Sequence, residues 1–313
     1  MQPNADTPYR TYADFLAPHF SGKVQKLSID GGFSCPNRDG QLSRNGCTYC
    51  NNATFTPSYC LAGDSITLQL EKGKQFFRRK YPEMQFLAYF QAHTNTYAPL
   101  SLLRERYSEA LSASDIVGIV IATRPDCIAP DTLDYLTELS RRTFLLIEFG
   151  VETTDDALLR RLNRGHTFAQ AQETILRTAK RGIHTAAHLI LGLPGQTREQ
   201  MLLEADRISR LPIEVLKLHQ LQIVRNTALE REYTVSPALF ASLFNTPEQY
   251  ADLVVSFLER LRPTIALERF TSQTPSDLLI APRWGLKNHE FTALLSRAFH
   301  QRNTWQGLLY SNQ

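Results

Sequence analysis

Short hydrophobic runs alternate along most of this chain with segments whose apolar residues recur at helical spacing. Several runs are almost continuously apolar, which is typical of strands covered on both faces in a parallel sheet. The segment from Thr167 to Gly182 shows the helical pattern, with a capping threonine at its start. Six successive βα units indicate right-handed crossovers and either a barrel or a doubly wound sheet. The predicted strands cover residues 23–30, 85–91, 117–123, 144–151, 184–193 and 215–224.

The pattern changes after Val224. Residues 236–263 predict one helix, residues 264–270 a further strand and residues 290–303 a closing helix. No Gly/Ser-rich or Pro-rich linker precedes this tail. We therefore expect a core barrel with its lead-in over residues 1–225, and an extension packed on that barrel over residues 226–313.

The composition argues against a secreted or membrane-spanning protein and favours a globular one. Of the 313 residues, 42% are hydrophobic, enough for a sizeable core, and the formal net charge of +3 permits an anionic substrate without requiring one. The first twenty residues lack a signal-peptide pattern, and no run approaches the roughly 18 apolar residues of a membrane span. Five cysteines are too few, and odd in number, for a secreted disulfide framework. We expect a cytoplasmic protein without a membrane partner.

Three of the five cysteines lie in CPNRDGQLSRNGCTYC, directly after the first predicted strand. Cys35, Cys47 and Cys50 are separated by eleven and then two residues, in a loop rich in Gly, Asn and Asp. Loops at the carboxyl ends of barrel strands commonly carry chemistry. Three thiolates can hold a [4Fe–4S] cluster and leave one iron open to another ligand. A closed zinc site, with Cys60 or a nearby histidine as fourth ligand, also fits this spacing.

Three cysteines after the first strand of a six-unit α/β array resemble the radical S-adenosylmethionine (SAM) superfamily, whose usual spacing is three and two residues. The longer first spacing, with TRPD, GVET, NRGHT and HLILGLPGQT, is similar to the YhcC-like family, a relative of the catalytic subunit of elongator. This likeness runs from about Tyr12 to Trp284. It implies an α/β fold, a partial (βα)6 TIM-like barrel of radical SAM type with a C-terminal α/β extension.

The resemblance also implies the chemistry. Cys35, Cys47 and Cys50 would bind a [4Fe–4S] cluster whose open iron chelates SAM. An electron from a donor such as flavodoxin or ferredoxin would cleave SAM to methionine and a 5′-deoxyadenosyl radical, which abstracts a substrate hydrogen.

Contacts to SAM are expected at the strand ends. Related enzymes with a Gly-Val-Gln stretch use its Gln and an Arg twelve residues later, and here those positions hold Glu152, which changes the charge, and Arg164. QAHTNT replaces the Gly-Gly-Glu stretch that commonly ends the second strand, and His188 stands where relatives often carry Asp. The plain alternatives are a polar turn, a solvated arginine and a core histidine. Candidate SAM-binding residues are Gln91, Thr94, Asn95, Thr96, Glu152, Arg164, His188, Gly192 and Gly195.

Elongator kinship makes modification of the wobble uridine in tRNA the first hypothesis for the substrate. The rivals are a radical oxidoreductase acting on a small metabolite or a protein side chain, and a zinc-stabilised binding module without activity. Glu148, Lys217 and His219 are expected to face the barrel interior, because inward residues alternate along a strand. Cys127, after TRPD, is either buried or faces the reaction chamber.

Two further stretches have two interpretations each. Residues 74–82 mix aromatic and basic side chains, as an RNA-binding surface or the end of an amphipathic helix does. In the tail, Trp284 lies close in sequence to Arg269, Arg283 and Lys287. This group either contacts a nucleobase or locks the tail to the barrel.

Overall fold

The computed structural model describes residues 7–54, 56–61, 63–78 and 83–311. One sheet of seven strands follows the order of the chain, and every neighbouring pair in it is parallel. Two short strands form a separate antiparallel pair. The sheet contains β1 (Val24–Ile29), β2 (Gln85–Phe90), β3 (Ile116–Thr123), β4 (Phe144–Glu152), β5 (His184–Leu191), β6 (Val215–Gln220) and β8 (Ala266–Arg269), and the pair β7 (Ile223–Val224) and β9 (Leu279–Ala281).

Helices follow most of the strands and several begin at side-chain caps. Thr167, Thr197 and Thr246 each form a reciprocal capping box with a glutamine three residues later, an arrangement that stabilises a helix by about 1 kcal/mol. The helices are α1 (Tyr12–Leu16), α2 (Pro36–Asp39), α3 (Ile66–Arg78), α4 (Leu100–Ser112), α5 (Pro130–Ser140), α6 (Asp156–Arg161), α7 (Phe168–Ala179), α8 (Arg198–Ser209), α9 (Ala228–Val235), α10 (Pro247–Arg260) and α11 (Asn288–Arg302), with 3₁₀ turns at Asn52–Thr54 and Pro237–Phe240.

The α/β prediction is confirmed: the parallel strands curl into a half-barrel. Within the described chain, β1 and β8 are its two edge strands, and the C-terminal residues supply β8, which pairs with β6. Two predictions were wrong in detail. Residues 215–224 form not one strand but two, β6 and β7, which belong to different sheets. Residues 236–263 are not a single helix, because Thr246 caps a new helix whose first residue is Pro247, a position that suits proline. No helix in the described residues is long and apolar enough to cross a membrane.

The barrel interior contains a buried lattice of alternating charges, Lys26, Glu148, Lys217 and Glu268. Lys26 Nζ contacts Glu148 and lies 2.6 Å from Glu268 Oε2. Lys217 Nζ lies 3.4 Å from Glu148 Oε2 and 3.1 Å from Glu268 Oε1. Each lysine therefore contacts both carboxylates. The pair Lys26–Glu268 also joins β1 to β8, the two edge strands, which do not pair with each other through backbone hydrogen bonds.

Tyr89 completes this lattice. Its hydroxyl donates to Glu148 Oε2 at 2.6 Å, and its ring centroid lies 4.8 Å from the Nζ atoms of both Lys26 and Lys217. Burial opposes ionisation of Glu148, but Lys217 and Lys26 outweigh it and hold the pKa of its carboxyl well below its usual range. Glu148 is thus ionised at neutral pH.

A second buried carboxyl braces two loops at the carboxyl ends of β4 and β5. Glu204 on α8 accepts hydrogen bonds from the Thr153 hydroxyl and from Gln196 Nε2, the latter at 2.9 Å. Gln196 Oε1 in turn accepts the backbone N–H groups of Gly192 and Leu193, at 3.2 and 3.1 Å. Through these bonds one helix holds the loop after β4 against the loop after β5.

The charge lattice predicts the effect of removing its most buried carboxylate. In Glu148→Gln, Lys26 and Lys217 keep only Glu268 as an anionic partner, so the free energy of unfolding should fall by about 3–5 kcal/mol. Urea unfolding of the cofactor-free protein at neutral pH measures this. The matched control is Glu214→Gln, which removes a half-exposed partner of His184 and should cost less than about 1 kcal/mol. Equal losses in both variants would contradict a lattice that depends on Glu148.

The brace predicts a pH dependence. Burial raises the pKa of the Glu204 carboxyl from its ordinary 4.5 to about 8. Folding then favours the protonated form, so this group's contribution to stability is complete at low pH and is lost as pH rises. Relative to Glu204→Gln, the wild-type free energy of unfolding should decline between about pH 4.5 and 8 and run parallel above that. Denaturant unfolding of both proteins across this range checks it, and a difference independent of pH would refute it.

Candidate active site

The loop after β1 is shaped so that its three cysteines face one cavity. Cys35 caps α2, whose first residue is Pro36, and Gly40 ends this helix at φ 99°. The Cys47 carbonyl accepts the N–H of Cys50 at 3.0 Å, which closes the second turn. The loop is also pinned from the far side of the barrel, because Thr48 N–H donates to the Leu162 carbonyl at 3.0 Å.

We call this space the cysteine cavity. Strands β2 to β6 and the loops at their carboxyl ends contribute most of its other walls. It gathers residues from Cys35 to Thr274, which are 239 positions apart in the chain, as parallel strands that end at one rim do. Of the predicted site residues, Cys35, Cys47, Cys50, Gln91, Thr94, Glu152, Arg164 and His188 line it.

N–H donors approach the Cys47 sulfur. Asn37 Nδ2 lies 3.3 Å and Arg164 Nη1 lies 3.6 Å from its Sγ, and Arg38 Nη2 donates to the Cys50 carbonyl at 2.9 Å. Such donors stabilise thiolate ligands and set the potential of an iron–sulfur cluster. The donor set of three cysteines with N–H groups behind them therefore fits a cluster.

The three cysteines line the same cavity, but their side chains do not converge on one point. Among the described residues, no three His, Cys, Asp or Glu side chains converge closely enough to hold a metal ion. Burial, together with the nearby Cys47, raises the pKa of the Cys50 thiol, so a metal must displace a proton to bind there. Cys60 lies outside the cavity lining, where its thiol donates to Gln69 Oε1 at 2.6 Å.

Arg164 connects the cysteine loop to the end of β4. Its Nη2 donates to the Gly150 carbonyl at 2.7 Å and lies 3.3 Å from Glu152 Oε1, while Nη1 faces Cys47. A Cβ at position 150 would lie 2.5 Å from that Glu152 oxygen and collide with the guanidinium. Only glycine at 150 thus lets Glu152 and Arg164 pair beside the cysteine loop.

Of the predicted residues in the turn after β2, two line the cavity and two form hydrogen bonds behind it. Gln91 Oε1 accepts the Ser28 hydroxyl at 2.8 Å, and the buried Thr94 hydroxyl has no hydrogen-bond partner among the described residues. Asn95 instead donates to the carbonyls of Phe90 and Ala122 at 3.1 and 2.8 Å, which ties β2 to β3. Thr96 shares a 2.6 Å hydrogen bond with Thr123. Asn95 and Thr96 lie outside the lining and hold its shape.

The two predicted glycines of the loop after β5 also lie outside the lining. Gly192 has φ 86° and its space is closed by the C-terminal residues, since a Cβ would lie 2.9 Å from the Ser242 carbonyl. The Ser242 hydroxyl donates to the Leu193 carbonyl at 2.8 Å. Gly195 donates its N–H to the Leu239 carbonyl at 2.9 Å. The C-terminal extension thus covers this loop.

The deeper wall carries the predicted polar interior. His188 Nε2 lies 2.9 Å from Glu148 Oε2, and Lys217 and His219 line the same cavity. Burial and the nearby His188 hold the pKa of His219 well below its ordinary value, so its ring is neutral at pH 7. His219 Nδ1 is hydrogen-bonded to the Ser272 hydroxyl.

Sequence reasoning missed several lining residues and their neighbours. Asn37 and Arg38 lie two and three residues after Cys35, and that proximity in sequence is the available signal for them. Tyr49, between two of the cysteines, lines the cavity. Arg124, by contrast, belongs to the TRPD stretch that the sequence singled out, and it lines the cavity. It pairs with Asp126 at 3.0 and 2.8 Å, yet its Nη1 has no partner among the described residues. Cys127 is not in the lining, and burial raises the pKa of its thiol to about 12.

The structure also distinguishes the two interpretations of residues 74–78 and of the group around Trp284. Lys74 is buried against Glu71 and Ser114, and Arg78 pairs with Asp115 at 2.6 Å, as an amphipathic helix end would have it. Residues 79–82 of that run lie outside the described chain. Trp284 donates its indole N–H to the Phe244 carbonyl at 3.0 Å and stacks on Phe291, which is the tail-locking arrangement.

Comparison with known proteins identifies the family. The model of the radical SAM superfamily matches residues 41–208, and that of the radical SAM C-terminal domain matches residues 213–300. Protein YtqA of Bacillus subtilis is 34% identical over 307 residues, covering 98% of this chain and 94% of the relative. Protein YhcC of Escherichia coli is 35% identical over 270 residues, covering 86% of this chain and 85% of the relative.

More distant likenesses point to elongator. Elongator complex protein 3 of Schizosaccharomyces pombe is 27% identical over 177 residues, 56% of this chain but only 31% of that protein. The solved structure of the archaeal Methanocaldococcus infernus Elp3 shares the fold, with a TM-score of 0.66 and 13% identity. It covers 91% of this chain, which spans 64% of that structure. By its family matches and full-length relatives, the chain belongs to the radical SAM superfamily and is an enzyme of that superfamily.

Proposed function

We propose that Cys35, Cys47 and Cys50 hold a [4Fe–4S] cluster and that Glu152 and Arg164 orient SAM beside it. The observation that supports this most is that these five side chains, from two distant parts of the chain, line one cavity. When bound, the cluster and SAM supply reductive cleavage of a carbon–sulfur bond, with an electron from a flavodoxin or ferredoxin, to form a radical that abstracts hydrogen.

The chain's own residues position this chemistry. The Arg164 guanidinium is a planar fork of the kind that binds a carboxylate, and in this proposal its Nη atoms exchange contacts to Cys47 and Gly150 for the carboxylate of SAM. Glu152 then accepts the ribose hydroxyls. Asn37 and Arg164 donate toward the Cys47 sulfur, which stabilises the charge of a reduced cluster. Thr94, with its unpartnered hydroxyl in the cavity wall, offers a further donor to the methionine end.

For the substrate, we propose tRNA, with modification at the wobble uridine. Support comes from the likeness to elongator complex protein 3, although this chain spans only about a third of those proteins. The deeper cavity wall is polar and carries Lys217, His219, Gln220 and Gln222. Amide and cationic groups of this kind suit the edge of a pyrimidine ring.

Substitution of single cysteines tests the cluster. Cys47→Ala should abolish the brown chromophore and formation of 5′-deoxyadenosine from SAM, because two thiolates cannot retain the cluster. Iron and sulfide are measured after anaerobic reconstitution, with about four of each expected per wild-type chain. Cys60→Ala is the matched control and should keep both. A Cys47→Ala protein that keeps its chromophore, or one zinc in place of iron, would refute the ligand assignment.

Nucleoside analysis tests the substrate. If the proposal holds, tRNA from cells without this gene should lack a modified uridine that is present with the gene, and purified protein should retain tRNA in a salt-sensitive manner. Liquid chromatography with mass spectrometry of digested tRNA measures the first. Unchanged nucleosides together with failure to bind tRNA at low salt would exclude tRNA. SAM cleavage unaffected by tRNA would then favour a small metabolite or a protein side chain.

A further inference from the structure

A second cavity opens in the side of the barrel, between the edge strands β1 and β8. We call it the lateral cavity. Lys26, Glu268 and Arg269 lie on its strand walls, and Tyr59 and Phe76 lie at its flank. It shares Tyr89, Gln91 and Lys217 with the cysteine cavity. The two cavities therefore approach the same layer of the barrel interior from different directions.

The charges in the lateral cavity do not cancel. Lys26 and Lys217 are balanced by Glu148 and Glu268 in the buried lattice. Arg269, half-buried at the end of β8, makes no hydrogen bond or ion pair with any described residue. A half-buried guanidinium without a partner leaves one net positive charge facing the cavity, which favours an anionic ligand.

The opposite flank is aromatic. The ring centroids of Tyr59 and Phe76 lie 6.3 Å apart, and those of Phe76 and Phe77 lie 5.1 Å apart. Phe76 is 62% exposed, because it does not lie on the buried face of α3. Its ring is therefore available to a ligand. The aromatic flank and Arg269, on the walls of one cavity, offer a stacking surface and an anion contact.

We propose that the lateral cavity admits the substrate as a nucleotide, with the phosphate at Arg269 and the planar base against Phe76 and Tyr59. For its substrate class this rests on the proposed function. Its own support is the geometry, because Arg269, Phe76 and Tyr59 line one cavity. SAM, at the cysteines, and the substrate would then enter by separate openings. Gln91 and Lys217, common to both cavities, lie where the reacting groups would meet.

Binding of defined probes to the reconstituted protein tests this. Uridine 5′-monophosphate should bind at least about ten-fold more tightly than uridine, since one charge-assisted contact contributes about that factor. Arg269→Gln should remove this advantage and leave uridine binding unchanged. Phe76→Leu should weaken both probes by a similar factor, about five-fold or more, because it removes only the stacking surface. Isothermal titration measures all of these affinities.

The matched control is Arg297→Gln, which removes an exposed arginine of α11 that does not line the cavity; it should leave both affinities unchanged. Inorganic phosphate should compete more weakly than the monophosphate, and equal competition would reduce the site to a simple anion site and overturn the proposal. Monophosphate binding that is absent, or indifferent to Arg269→Gln, would also overturn it.

The two proposals can fail separately. Unchanged tRNA nucleosides with Arg269-dependent binding of the monophosphate would remove tRNA and keep a nucleotide in the lateral cavity. A tRNA product formed without any dependence of nucleotide binding on Arg269 would do the reverse.

Discussion

An open parallel sheet has two edges that must be held in place, and here buried ion pairs hold them. Lys26 on β1 reaches Glu268 on β8, and Glu148 and Lys217 complete an electrically neutral set in the interior. Desolvation makes any one of these charges costly alone, so the four are stable only together. This requirement fixes the distance between the edge strands and with it the width of the lateral opening.

The same interior layer couples the scaffold to the site. Glu148 contacts both Lys26 and His188, and His188 lines the cysteine cavity. Higher up, Arg164 and Asn37 link the residues after α6 to Cys47. The loop that carries the cysteines is therefore held by Leu162, Asn163 and Arg164, in the segment after α6, and not by its own backbone alone. A ligand that moves Cys47 must also move Arg164, and this couples the proposed cluster site to the proposed SAM contacts.

Much of this arrangement was predictable from local pattern. Continuous apolar runs located the six βα units, and the spacing of Cys35, Cys47 and Cys50 after β1 indicated a shared loop. The pairing of Lys26 with Glu268, 242 residues apart, could not be predicted, because nothing local marks which buried charges will meet. The role of Glu204 was hidden for the same reason: it reads as an ordinary polar position on an amphipathic helix. Asn95 and Thr96 were placed at the correct rim, but sequence does not tell a side chain in the lining from one behind it.

The separate openings proposed for the two reactants suit the demands of radical chemistry. A carbon radical reacts with the nearest hydrogen, so the substrate must already be in place and water and stray side chains excluded when it forms. Entry of both molecules through one mouth would impose an order of binding and expose the cluster during exchange of substrate. Because β1 and β8 do not pair with each other, the proposed route lets the substrate enter at the side of the barrel, while the loops at the strand ends enclose SAM. The Lys26–Glu268 pair lies at that side, so the contact that holds the half-barrel together also forms part of the wall that the substrate meets.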